Sequence, residues 1–326
     1  MHLEEVNIQG FKSFSEKTSM GFQPGIGVII GNNGVGKSNI LDAIVWALGE
    51  DRLERIRCYG RNELFFAGSK DHPAADNAKV EMLFRQGTAK NAPVVKLARQ
   101  TDPQGHDIFT VMNNPCHRAD YQAKLEEMGL GHALKTLIRQ EEINDLIQLS
   151  PKARLASVTG LLDLDPATDM SAWIEQRVAT RFYRYMSYLM PLAEVRLEVA
   201  DRNGRQELDI HVTLSGNRVR RAHQLSGGEK AITSLALKLA FFGELASPFY
   251  LLDEVEPSLD YANHKSMQAF LKDVAAEKQL IMITHLRSTI ELANTLHGVR
   301  TRWDGSSFMK FYFVMDERLL RMYKCC

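Results

Sequence analysis

Cysteine is scarce: four residues in 326, namely Cys58, Cys116 and the terminal pair Cys325 and Cys326. No two have zinc-finger spacing, and adjacent cysteines seldom meet disulfide geometry, so reduced thiols in a cytoplasmic protein are the expectation. Long apolar runs are missing too. None approaches the roughly 20 residues of a membrane span, and no membrane partner is expected. Glu4 and Glu5 stand where a secretory signal would carry a basic segment and then an apolar run, so no such signal is expected. Net charge is also absent, since Lys plus Arg and Asp plus Glu each total 40; any nucleic-acid footprint must be local. The remainder, 44% hydrophobic and 25% charged, is that of a globular chain able to bury a sizeable core.

Residues 1 to about 30 read as strands. Val6 and Ile8 alternate with polar neighbours, Pro24-Gly25 marks a turn, and Val28-Ile29-Ile30 is a short buried run. Ile40, Leu41, Ile44, Val45 and Leu48 then share one helical face, with Gly49 at the expected C-terminal cap. Strand patterns return at 79–112. Residues 118–190 look mainly helical, interrupted by Pro151 and Pro166 and ended by Pro191. Two alternating strands follow, with Asn203-Gly204 as the hairpin turn, and then helix, buried strand, helix and strand. The expected domains are an N-terminal lobe at 1–165, a short helical connection at 166–190, and a C-terminal lobe at 191–326.

Gly31-Asn32-Asn33-Gly34-Val35-Gly36-Lys37-Ser38 matches G-x-x-x-x-G-K-[ST] between a buried strand and a helix. Glycines let backbone N–H groups curl around phosphate oxygens, and the helix N-terminus adds partial positive charge. In such a loop Lys37 reaches the β and γ phosphates of ATP, and the Ser38 hydroxyl ligates Mg2+. Phe249 to Leu252 form an apolar strand ending in Asp253 and Glu254. At that edge of an α/β sheet Asp253 suits Mg2+, and Glu254 suits the orientation or deprotonation of an attacking water. A second glycine-bearing helix start is Ser226-Gly227-Gly228-Glu229-Lys230. Ser226 and Glu229 have capping-box spacing, which is a structural explanation for part of it. Two adjacent glycines nevertheless cost helix stability, and they make sense where backbone must approach an anion closely. One chain with both features resembles the ABC class of ATPases, a resemblance that implies a dimer in which each copy completes the other's nucleotide site. Gln140 (toward Mg2+ and water), Asp260 and His285 (toward the γ-phosphate) stand in the order that this arrangement requires.

Gly10-Phe11-Lys12-Ser13-Phe14, the loop ending in Lys37-Ser38-Asn39, Leu48-Gly49-Glu50, Phe66-Ala67-Gly68-Ser69, Leu225 to Lys230, Leu252 to Val255 and Ile283-Thr284-His285 together resemble the heads of SMC (structural maintenance of chromosomes) proteins. The resemblance implies an α/β fold, a P-loop NTPase of ABC type with a mixed sheet, an antiparallel β subdomain and a helical insertion. It implies an ATPase, assigns nucleotide contacts from Gly31 to Asn39, and gives Arg57 a role at the phosphates. Its partners would be a second head, DNA and a kleisin-type subunit. Departures are Asn32 in place of the usual proline, Val35 in place of serine, Glu141 in place of glycine, and no room for a coiled-coil arm between the halves. Two basic groups, Arg52 to Lys70 and Arg218 to Arg221, are either a DNA contact or a solvated face. The competing readings are a low-turnover, nucleotide-gated interaction module and the nucleotide-binding subunit of a transporter.

Overall fold

Fully apolar and alternating runs give two kinds of sheet here. The computed structural model describes the chain apart from residues 88, 90, 166, 202–204, 215–217, 257–263 and 315–326. The strands are β1 (His2–Gln9), β2 (Thr18–Gly21), β3 (Ile26–Ile30), β4 (Ala78–Arg85), β5 (Val94–Thr101), β6 (Asp107–Val111), β7 (Asn114–Cys116), β8 (Leu137–Arg139), β9 (Glu194–Asp201), β10 (Gln206–Leu214), β11 (Arg218–Arg221), β12 (Phe249–Asp253), β13 (Gln279–Ile283), β14 (Thr295–Thr301) and β15 (Ser307–Val314). The helices are α1 (Lys37–Ala47), α2 (Arg118–Glu127), α3 (Asp145–Gln148), α4 (Pro151–Leu162), α5 (Met170–Ile174), α6 (Thr180–Leu189), α7 (Gly227–Phe242), α8 (His264–Glu277) and α9 (Arg287–Ile290).

Packing divides these elements into two units, and the division cuts across the linear order. The first unit takes Met1–Leu137, Ala246–Glu254 and the segment from Ala275 onward; the second takes Ile138–Leu245 and Val255–Val274. In the first unit β2-β1-β4-β5-β6-β7 make an antiparallel sheet, and β15-β14-β3-β13-β12 run in that order in a mixed one. Strand β3 lies between β13 and β14, parallel to both. Helix α1 contacts β1, β4 and β5 of one sheet and β12 of the other. This explains why it is buried almost all round, from Lys37 and Ile40 to Ala47, where the sequence pattern indicated a single apolar face.

In the second unit β11-β10-β9 form a small antiparallel sheet, with α4 against β10 and α6 against α7. The connection expected at 166–190 is helical from Met170 to Leu189, with a π turn at Glu175–Ala179 between α5 and α6. Two of its aromatics serve as core: Phe182 and Tyr185 are buried, and Tyr185 meets Phe270 edge-on at 5.1 Å. The Asn203-Gly204 turn and the Cys325-Cys326 pair lie outside the described residues.

Candidate nucleotide site

The glycine loop follows β3 and opens α1. Gly36 is the N-cap residue at φ 93°, and Gly34 also has positive φ, at 81°. A Cβ at Gly36 would lie 2.5 Å from both Ser13 Oγ and Ser307 Oγ, so only glycine fits there. Nothing lies within 4 Å of a Cβ built at Gly34, which leaves the loop's outer side open to a phosphate. A brace holds the loop from behind. Ser307 Oγ donates to Val35 O at 2.8 Å, Ser307 N to Ser13 O at 2.7 Å, and Asn39 Nδ2 to Ser13 Oγ at 2.8 Å. Asn39 is thus tied to this brace by its amide.

Strand β12 delivers the two carboxylates. Ser38 Oγ donates to Asp253 Oδ1 at 3.2 Å, which joins the start of α1 to the end of β12. Glu254, one residue on, adopts φ 51° while its N–H donates to Ile283 O at 3.0 Å. A left-handed glutamate costs about 1–3 kcal/mol of backbone strain, and such strain concentrates at functional positions. His285 follows β13, with Nε2 2.9 Å from Glu254 Oε1 and 3.0 Å from Lys37 Nζ. Lys37 Nζ also donates to Gly31 O at 2.9 Å and Asn32 O at 3.2 Å, and it stands 3.6 Å from Glu254 Oε1. Three strands and one helix therefore bring Lys37, Ser38, Asp253, Glu254 and His285 together. Their oxygens and cation suit a phosphate with a hard divalent ion: Mg2+ prefers one or two carboxylates, substrate phosphates and water.

Arg57 sits elsewhere in the same unit. Its Nη2 and Nε donate to Asp42 Oδ2 at 2.7 and 3.1 Å, and Lys12 Nζ binds the same oxygen at 2.6 Å. Asp42 lies on α1 and is fully buried, a position that a carboxylate tolerates only with such partners. Arg57 is itself left-handed, at φ 55°. Burial raises the pKa of the adjacent Cys58 thiol above its usual value, opposed by Lys12, which makes it a poor nucleophile.

The other expected residues belong to the second unit or fall outside the described chain. Gln140 opens a short 3-10 turn directly after β8, within the stretch 118–190 that the sequence pattern gives as mainly helical. Ser226 caps α7: its Oγ accepts from Glu229 N at 3.4 Å, and Glu229 Oε2 accepts from Ser226 N at 2.7 Å. Cβ atoms built at Gly227 and Gly228 meet nothing within 4 Å, so that helix end is unobstructed. Asp260 lies outside the described residues. Sequence reasoning missed Asp42 and Ser307. Asp42 falls off the apolar face of Ile40, Leu41, Ile44, Val45 and Leu48 and reads there as a solvated side chain, and nothing local signalled Ser307 either.

The family model for the RecF/RecN/SMC N-terminal domain matches residues 2–307. The chain belongs to that family. Among similar relatives, the chromosome partition protein Smc of Halobacteriovorax marinus is 32% identical over 163 residues, or 47% of this chain and 13% of that protein. The Smc of Halothermothrix orenii is 33% identical over 156 residues, covering 47% and 13%. The chain therefore matches only about an eighth of the length of these relatives. Among solved structures, an SMC head bound to the C-terminal winged-helix domain of ScpA superposes with a TM-score of 0.85 at 27% identity, covering 98% of this chain and all of that one. The SMC head domain from Thermotoga maritima gives 0.72 at 31% identity, covering 97% and 100%. This chain has the fold of an SMC head domain, an α/β architecture of the ABC ATPase class.

Proposed function

We propose that this SMC head binds Mg-ATP at the phosphate loop, dimerises with a second copy around two nucleotides, and hydrolyses them in chromosome organisation, segregation or DNA repair. The convergence of Lys37, His285 and Glu254 beside the Ser38–Asp253 pair carries the reading. The Lys37 ammonium turns its donors from loop carbonyls to the β and γ phosphates. Ser38 and Asp253 would hold Mg2+, and the ion would supply charge neutralisation at the phosphates. Glu254 orients or deprotonates the attacking water, and His285 contacts the γ-phosphate. Residues Gly31 to Asn39 form the cradle, and Arg57, released from Asp42, reaches the phosphates.

The dimer rests on α7. Ser226, Gly227, Gly228 and Glu229 present the first-turn N–H groups of a 16-residue helix with no side chain in the way. Those donors and the helix dipole suit the γ-phosphate held by the other copy. Asp260 is assigned to the same interface. A kleisin-type subunit is proposed as a partner because the similar SMC head is solved with ScpA, and DNA because of the arginines from 52 to 61.

The test is the solution mass of Glu254→Gln with and without Mg-ATP, alongside phosphate release by the unmodified chain. A monomer that becomes a dimer only with nucleotide, and releases almost no phosphate, supports the reading. Turnover at the parental rate removes Glu254 from its role. A chain that binds ATP yet stays monomeric refutes the sandwich.

A further inference from the structure

A cavity of about 300 Å³ lies in the first unit, lined by Arg61, Arg99 and Arg118, by Asp51 and Asp107, and by apolar groups including Trp46. It is at the small end of ligand pockets, which run from about 300 to 1,000 Å³. None of its residues takes part in the nucleotide site described above.

The charges around it do not balance. Arg99 donates to Asp51 Oδ1 and Asp107 Oδ2, both at 2.8 Å, Arg61 to Asp107 Oδ1 at 3.2 Å, and Arg118 to Asp51 Oδ2. Burial works to raise the Asp107 pKa, but Thr101, Arg99 and Arg61 outweigh it and hold the carboxyl below its usual value, hence ionised. Three guanidinium groups therefore face two carboxylates. Arg99 is 4% exposed and is pinned further by the carbonyls of Trp46 and Glu50, each at 3.0 Å. Its guanidinium lies 4.6 Å from the centre of the Trp46 ring and 5.3 Å from that of Phe109. Even so, the Nε–H of Arg99 and that of Arg61 are buried with no acceptor among the described residues. A buried charged donor without an acceptor costs more than an ordinary lost hydrogen bond, so both guanidinium groups are held at a cost beside the cavity they line.

We propose that this cavity binds a small oxyanion, a phosphate or carboxylate, which neutralises the guanidinium charge of Arg61, Arg99 and Arg118 that Asp51 and Asp107 leave uncompensated. Arg118, at the more exposed edge, sets the affinity without closing the floor. Arg99 and Trp46 fix the chamber, so the site is preformed rather than built by the ligand.

The test uses the full chain carrying Lys37→Ala, which removes phosphate uptake by the glycine loop, and titrates inorganic phosphate by calorimetry at constant ionic strength. The expected result is one saturable phosphate per chain, weakened at least tenfold by Arg118→Gln and by Arg61→Gln, with circular dichroism unchanged. No saturable uptake, or uptake equal in parent and variants, overturns the proposal. So does binding of a DNA duplex that needs these arginines while free phosphate does not bind, since they would then serve a surface contact. None of these outcomes depends on whether the chain hydrolyses ATP.

Discussion

His297 makes stability depend on pH in a direction and amount fixed by its surroundings. The ring is fully buried in β14, 4.7 Å from the centre of Phe22 and stacked at 5.0 Å on Tyr312. Burial lowers its pKa to about 4, with the Gly21 backbone opposing only in part. In the unfolded chain the group titrates near its ordinary value of about 6.5. Between those two values the unfolded state binds the extra proton, so stability falls as pH falls. At about 1.4 kcal/mol per pH unit, the fold loses about 3 kcal/mol through this one ring between pH 7 and pH 4. His297→Phe keeps a flat ring in the aromatic slot and removes the titration. Urea unfolding followed by circular dichroism, at half-unit steps from pH 7 to 4, should give a variant profile flatter than the parent by that amount. Parallel profiles would refute the assignment of this pH dependence to His297.

Three further outcomes follow from the geometry. Asp42→Asn leaves Lys12 and Arg57 without their buried countercharge and should cost about 3–5 kcal/mol, read as a lowered midpoint in thermal unfolding. Gly36→Ala meets both a positive φ and the two serine hydroxyls; it should lower stability by about 1–3 kcal/mol and abolish binding of a fluorescent ATP analogue. Ser226→Ala removes a helix cap worth about 1 kcal/mol, yet should weaken nucleotide-dependent dimerisation more than tenfold. If dimerisation by light scattering is unchanged, α7 acts only as a structural helix.

Much of the architecture was legible because it is local. A buried run before Gly31 and the glycines at 34 and 36 mark strand, loop and helix by chain chemistry alone. The hairpin between β6 and β7 was not legible: Met112 and Asn113 both adopt positive φ, at 52° and 66°, without the glycine that usually announces such a turn. The unit boundaries were hidden for another reason. Residues 246–254 and 275 onward pack with the N-terminal segment, a pairing that no window of sequence displays. Within the site, Lys37, Ser38, Asp253, Glu254 and His285 stand out by type and order. The Ser13–Asn39–Ser307 brace depends on a contact between residues nearly 300 positions apart.

The place of β3 has a consequence for how the chain is made. This strand emerges from the ribosome as residues 26–30, but its two parallel neighbours are residues 279–283 and 295–301. At about 5–20 residues per second, the strand that leads into the phosphate loop waits tens of seconds with both edges unpaired. The central sheet of the SMC head therefore closes late in translation, and until then its apolar strand has neither parallel neighbour to pair with.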